Sequence, residues 1–241
     1  MIRSEETTLI NMSNECLDFP YIPKNPDVYL NYYGMNGINC YLDDEARGKI
    51  SKDLMNYGPE GIHYIDNGNY HYLSLLYLEM IEEDFALVLY DNHPDMKPPA
   101  FGGITSCGGW VLEAAENIGH LKRIYMIGME AGLVEEVMPL HSKVCYVKCY
   151  EFGQWKIYQR GSDIIDKTTK STFLNDLSNM DILEVLADET LPLALSLDLD
   201  ALALSDFSCQ WSQGILTAKE MEKQVREIIK EHEVIMLDVC G

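Results

Sequence analysis

The chain lacks a cysteine framework: its seven cysteines are odd in number, and none forms a CxxC pair. Cys145 and Cys149 have no matching pair elsewhere in the sequence. This argues against a zinc ribbon and for reduced thiols in a cytoplasmic protein. Long apolar runs are missing as well. No stretch approaches the ~18 uninterrupted apolar residues of a membrane helix. The opening MIRSEETTLINMSNE has no basic start followed by an apolar segment, so no signal peptide is read. Positive charge is scarce, with 18 basic residues against 39 acidic ones and a formal net charge of −21. Such a chain repels nucleic acid and anionic membranes. Repeats, low-complexity tracts and linkers are absent too, which suits one domain over residues 1–241. The sequence stops on a buried-type strand, an ending that suits a truncated domain.

What is present is a regular alternation. Nearly half the residues, 47%, are hydrophobic. Apolar runs of strand length are expected at Gly61–Ile65, Phe85–Tyr90, Arg123–Gly128, Val144–Val147, Leu191–Leu197 and Val234–Leu237. Between them, Tyr72–Glu83 and Trp110–Ile118 read as helices. Thr217 and Glu220 form a capping box ahead of a helix whose inner face carries Met221, Val225, Ile228 and Ile229. This rhythm implies an α/β fold, three layers with a mostly parallel central sheet and helices on both faces. In such sheets, ligands bind at the carboxyl ends of the strands. Three apolar runs are followed by aspartate, at Asp91, Asp198 and Asp238, so function is expected there.

Asp91, His93 and Asp95 alternate, and in an extended segment alternate residues share one face. Asp198 and Asp200 repeat the spacing on a second strand. Converging carboxylates repel unless they are solvated, protonated or metal-bound. Mixed oxygen and nitrogen ligands suit Mn²⁺, with Fe²⁺, Co²⁺ or Zn²⁺ as alternatives. The set is large enough for a pair of ions.

The segment Asp91-Asn92-His93-Pro94-Asp95 resembles the DxHxD signature of arginases, agmatinases and their relatives. Ser196-Leu197-Asp198-Leu199-Asp200 resembles their SxDxDxxDP signature, and Gly214-Ile215-Leu216-Thr217 their GGLT. The order agrees, over residues 60 to 241. A third family motif, GGDHS, is matched at Gly68 and His71 only. The resemblance implies an arginase/deacetylase-like fold. One ion would be held by His71, Asp91, Asp95 and Asp198, the other by Asp91, His93, Asp198 and Asp200. Asp91 and Asp198 would bridge and be the catalytic pair. The implied activity is hydrolysis of a non-peptide C–N bond in a small-molecule substrate by a hydroxide bridging the ions. Further copies of the chain are an open partner.

The sequence also departs from that family. The loop from 96 to 110 holds no histidine, so the proton-shuttle role is unfilled unless His141 or a tyrosine reaches in. Ala203-Leu204 replaces the DP. Asp238 matches the aspartate of the last strand, but Gly241 stands where arginases carry a guanidinium-binding glutamate. Arginine is therefore not the expected substrate. A deacetylase-like amide hydrolase and a non-catalytic metal- or ligand-binding module are the alternatives. The Gly102-Gly103 and Gly108-Gly109 pairs read as turns more readily than as ligand contacts. Trp110 and Trp211 fit pocket walls or packing alike. Cys107 reads as a bystander, His63 as an ordinary strand histidine, and His120, His141 and His232 have no supporting pattern.

Overall fold

A computed structural model describes residues 1–100, 102–159 and 181–241 of the chain. The strands among them are β1 (Thr7–Asn11), β2 (Val28–Asn31), β3 (Tyr41–Leu42), β4 (Gly61–Ile65), β5 (Phe85–Tyr90), β6 (Thr105–Ser106), β7 (Leu121–Glu130), β8 (Val144–Glu151), β9 (Gln154–Gln159), β10 (Leu193–Asp198) and β11 (Val234–Cys240). Nine of them form one sheet in the order β2-β1-β4-β11-β10-β5-β7-β8-β9, and β3 pairs with β6 outside it. Every neighbouring pair of the large sheet is parallel except the β8–β9 hairpin.

The apolar runs behave as strands buried on both faces. Phe85, Leu87 and Leu89 of β5 enter one core, while Ala86, Val88 and Tyr90 enter the other. The period of two therefore carries no polar face. Helices α1 (Asp44–Leu54), α2 (Leu73–Leu78), α3 (Trp110–Asn117) and α4 (Ala131–Glu136) contribute to the first core. Helices α5 (Ile182–Leu186) and α6 (Ala218–Glu231) cover the second. The three-layer α/β/α reading is the observed architecture.

The Thr217–Glu220 capping box is formed, with both reciprocal hydrogen bonds in place. Other boundaries differ from expectation. The helix expected to reach Glu83 ends at Leu78. Glu82, Glu83 and Asp84 follow, and acidic groups at a helix C-terminus oppose its dipole. Strand β10 begins at Leu193, because Pro192 has no N–H to give a ladder. Strand β11 runs on to Cys240, so Asp238 lies inside it rather than at its end. Asp238 is fully buried there and meets His63 Nδ1 at 2.7 Å. It belongs to the sheet interior rather than to the strand end. The sequence reading gave no elements before residue 60. The structure adds β1, β2, β3 and α1 there, with β1 and β2 extending the sheet edge.

Candidate metal centre

Strands β5 and β10 are hydrogen-bonded neighbours, with Tyr90 opposite Leu197, so Asp91 and Asp198 emerge side by side at their carboxyl ends. Neither motif continues as extended chain. After Tyr90 the backbone bends, and Asp95 takes a left-handed conformation with φ 47°. That conformation is uncommon outside glycine and tends to sit at functional sites. Asp200 lies in a 3₁₀ turn, Leu199–Ala201, rather than on the strand. The bends, not strand alternation, bring the carboxylates together.

One oxygen of each of three aspartates is tied down by a backbone amide. Asp91 Oδ1 accepts from His93 N at 2.6 Å, Asp198 Oδ1 from Asp200 N at 2.9 Å, and Asp200 Oδ1 from Asn92 N at 2.9 Å. The Oδ2 atoms are thereby aimed at the histidines. His71 Nδ1 lies 3.2 Å from Asp91 Oδ2, 3.3 Å from Asp198 Oδ2 and 3.4 Å from Asp95 Oδ2. His93 Nδ1 lies 2.8 Å from Asp200 Oδ2 and 3.5 Å from Asp91 Oδ1. Two groups able to hold a cation result: His71, Asp91 and Asp198, and Asp91, His93 and Asp200. Asp91 is common to both. Asp198 groups with the first, and Asp95 stands beside it.

His71 follows the 3₁₀ turn Gly68–Tyr70 that leaves β4 and is 1% exposed. Its Nε2 is 2.9 Å from Ser196 Oγ, which also contacts Ser74 Oγ at 3.2 Å. A proton on Nε2 donated to that hydroxyl leaves Nδ1 as a lone pair facing three carboxylate oxygens. His71 Nδ1 is buried and has no hydrogen bond of acceptable geometry. A cation between these atoms would satisfy all of them at once. The donor set therefore fits a metal ion.

The second histidine is fixed in a similar way. His93 Nε2 is 2.9 Å from Ser212 Oγ, and Asn92 Nδ2 donates to the same serine. Tyr150 Oη donates to Asn92 Oδ1 at 2.8 Å, tying β8 to the turn. Trp110 Nε1 donates to Asp95 Oδ2 at 2.7 Å from the first residue of α3. Ser196, Ser212 and Asn92 were given no role by the sequence, and Trp110 was read only as a pocket wall or a packing group. Ser196 stands in the quoted motif, but Ser212 and Tyr150 carry no local signal.

Protons partly take the place of cations here. Burial pushes Asp200 up to about 7 and Asp95 up to about 6, each reinforced by Asp91. Burial together with Asp200 and Asp91 holds Asp198 well above the usual carboxylate range. Burial opposes charge on Asp91 as well, but His71 and His93 outweigh it and hold the carboxyl at about 2. Burial likewise works against charge on His93, and Asp200 and Asp91 overcome it, to about 11.

A cavity of about 400 Å³ opens over these groups. Asp91, His93, Asp95, Asp198 and Asp200 border it, and Pro98, Leu133 and Trp211 are among its apolar lining. Tyr41 is among the lining residues, whereas His141 is not. Gly102 and Gly103 have φ 55° and 86° and form the expected turn, while Phe101 of that loop lies outside the described residues.

Solved structures with this architecture are Bacillus caldovelox arginase, with TM-score 0.60, 14% identity, and 99% of this chain and 91% of that one covered. Formimidoylglutamase from Bacillus subtilis matches with TM-score 0.59 and 11% identity, over 98% and 78%. The chain has the arginase fold. Trypanosoma cruzi formiminoglutamase with Mn²⁺ shares it at TM-score 0.56 and 14% identity, over 98% and 85%. No protein-family model matches the sequence. An uncharacterized protein of Thermotoga maritima is 22% identical over 181 residues, 75% of this chain and 58% of that relative. The chain thus spans little more than half the length of that relative.

Within the arginase fold of this chain, Gly68 has a specific task. A Cβ there would stand 2.9 Å from Trp211 Cδ1 and 3.4 Å from Asp198 Oδ2. Trp211 in turn donates from Nε1 to Asn69 Oδ1 at 3.1 Å and packs edge-on to His93. We expect Gly68→Ala to displace Trp211 from the cavity wall while leaving the sheet intact. Tryptophan fluorescence should shift and far-UV circular dichroism should not. Unchanged fluorescence would mean that the indole is not held over Gly68.

Proposed function

We propose that the chain is a metal-dependent hydrolase of a non-peptide carbon–nitrogen bond and a divergent relative of the ureohydrolases. His71, Asp91, Asp95 and Asp198 would hold one divalent ion, and Asp91, His93 and Asp200 a second. The observation that carries this is the buried, unpartnered Nδ1 of His71 facing three carboxylates, with Asp91 shared between two cation-holding groups. Manganese is the first candidate for both ions. When bound, the ions supply Lewis-acid charge against the negative charge that develops in the transition state.

The remaining chemistry belongs to the chain's own residues. Ser196 and Ser212 orient the two imidazoles, a role that sets which nitrogen faces the ions. Trp110 fixes Asp95, and the Asn92 amide fixes Asp200. Trp211, Pro98 and Leu133 keep water from the reacting bond. Lys97, Tyr41 and Ser106 are wall groups placed to bind a small-molecule substrate or hold a proton. No arginine or glutamate lines the cavity among the described residues, so a guanidinium would find no glutamate to grip it. An amidine, ureide or amide suits this wall better than arginine.

The test is turnover by Mn²⁺-reconstituted protein over a panel of amidines, guanidines, ureides and N-acyl amines. We expect turnover of one class and negligible urea from L-arginine and agmatine. Urea release at ordinary enzymatic rates, ~1–10³ s⁻¹, would make the chain an arginase proper. Two bound ions with no turnover on any class would point to a non-catalytic binding module. A single bound ion with N-acyl amine cleavage would favour the deacetylase-like alternative.

A further inference from the structure

The cavity wall holds two cysteines that the hydrolytic chemistry does not use. Cys40 precedes β3 and Cys107 follows β6, and both line the cavity. The two short strands pair antiparallel, with Tyr41 opposite Ser106 and Leu42 opposite Thr105. Extending that register by one step sets Cys40 directly opposite Cys107. The strand pairing ends at Tyr41 and Ser106, and one further hydrogen bond joins the two segments there, from Cys107 N to Cys40 O at 2.9 Å. Residues directly opposite in an antiparallel ladder have Cα atoms ~4.5–5.5 Å apart. That span lies inside the ~4.4–6.8 Å range of disulfides. Cys40 is among the groups acting on the Cys107 thiol, and none of the seven cysteines is in a disulfide.

The surroundings point the same way. Cys40 has a left-handed backbone, φ 60°, which a non-glycine residue adopts at a cost. It is half-buried, while Cys107 is buried. A small oxidant entering the cavity therefore meets Cys40 first. Burial pushes the Cys107 thiol up, so Cys40 is the thiol placed to attack first. Cys145 and Cys149 offer no such arrangement. They lie four residues apart on one extended strand, ~13 Å from each other, and one is part-exposed while the other is buried.

We propose that Cys40 and Cys107 form a reversible disulfide across the wall of the cavity, made by exchange with a low-molecular-weight disulfide such as oxidised glutathione. The Cys40 thiolate attacks one sulfur of glutathione disulfide, forming a mixed disulfide and releasing one glutathione. Cys107 loses its proton to solvent and attacks the Cys40 sulfur, releasing the second glutathione. The two cysteines lose two electrons and two protons, and glutathione disulfide gains them. The bond would clamp β3 to β6. It would also act on Trp211 through a chain of contacts: Cys40 lies next to Asn39, Asn69 Nδ2 donates to Asn39 Oδ1 at 2.9 Å, and Asn69 Oδ1 accepts from Trp211. The proposal stands independently of the bound metal and of the reaction catalysed.

The test is non-reducing peptide mapping of the folded protein after titration with oxidised glutathione. The expected product is a Cys40–Cys107 linked peptide, formed before any other cysteine pair and reversed by dithiothreitol. Cys107→Ser should instead accumulate glutathione on Cys40, since no resolving thiol remains. The wild-type map stands by itself if that variant does not fold. Glutathione on Cys145 or Cys209 with Cys40 and Cys107 still free would overturn the proposal. So would a mixed disulfide at Cys40 in the wild type that never resolves.

Discussion

Asp91→Asn is expected to abolish binding of both ions, whereas His71→Asn and His93→Asn should each leave about one. Asp91 is the carboxylate common to the two cation-holding groups, with Oδ2 3.2 Å from His71 and Oδ1 3.5 Å from His93. Its substitution removes one negative charge from both sites at once. The amide that replaces it has a single carbonyl oxygen and cannot face both histidines as a ligand. Either histidine variant loses a donor from one group only. Activity should fall at least ~10³-fold in Asp91→Asn, because the lost interaction acts in the transition state. The fold should survive. Asp91 follows β5 rather than lying in it, and its backbone N–H, bonded to Ile127 O, is untouched. Elemental analysis after dialysis against Mn²⁺ gives the stoichiometry. Retention of both ions by Asp91→Asn would refute the shared-ligand assignment.

The second large effect concerns pH. Without metal, the protein should lose stability as pH rises from 5 to 8, and Mn²⁺ should remove that loss. Burial and Asp91 hold Asp200 at about 7 and Asp95 at about 6. Both lie above the ~3.8–3.9 of an unfolded aspartate. A raised carboxyl stabilises the fold fully below the unfolded value and loses that contribution as pH climbs through the folded one. The window is therefore pH 4 to 7 for these two groups, and the fall is well under way by pH 6. His93, raised to about 11, has the same sign, but its contribution is spent between pH 6.5 and 11. Asp91, lowered to about 2, works oppositely and only below pH 4. His71 and Asp198, both raised, act in the same direction, so the net change between pH 5 and 8 is a loss of several kcal/mol, or a fall of at least about 10 °C in melting temperature. Bound cations compensate the ionised carboxylates, so the loaded protein should hold its melting temperature. Metal binding at pH 6 should also release protons, seen as a dependence of calorimetric heat on buffer ionisation enthalpy. A flat pH profile for the metal-free protein would show that the carboxylates are solvated rather than crowded.

The layers of this fold were legible because a buried parallel strand needs apolar residues on both faces. Phe85–Tyr90 and Leu193–Leu197 satisfy that condition with no reference to the rest of the chain. The Thr217–Glu220 capping box was legible for the same reason, since its chemistry is local. So were the ligand types, because Asp91, His93 and Asp95, and likewise Asp198 and Asp200, stand close enough in sequence to be seen as groups. The edge strands β1 and β2 were not legible: β1 is short and lies before any matched motif, and it is a strand because β4 lies beside it.

The grouping itself was a tertiary decision. His71 reaches Asp91 and Asp198 because β4, β11, β10 and β5 are laid in that order, which places a histidine from one crossover above two other strands. Sequence spacing alone would have put Asp91, His93 and Asp95 on one extended face. The left-handed turn at Asp95 instead sends its carboxylate toward Trp110 and His71. Asp238 looked like a third strand-end aspartate, yet the strand runs past it and His63 meets it inside the sheet. A local pattern specifies which atoms can bind a cation, because ligand chemistry is a property of the side chain. Which of them meet depends on strand order and bends, because contacts across more than a hundred residues are set by the packing of the whole sheet.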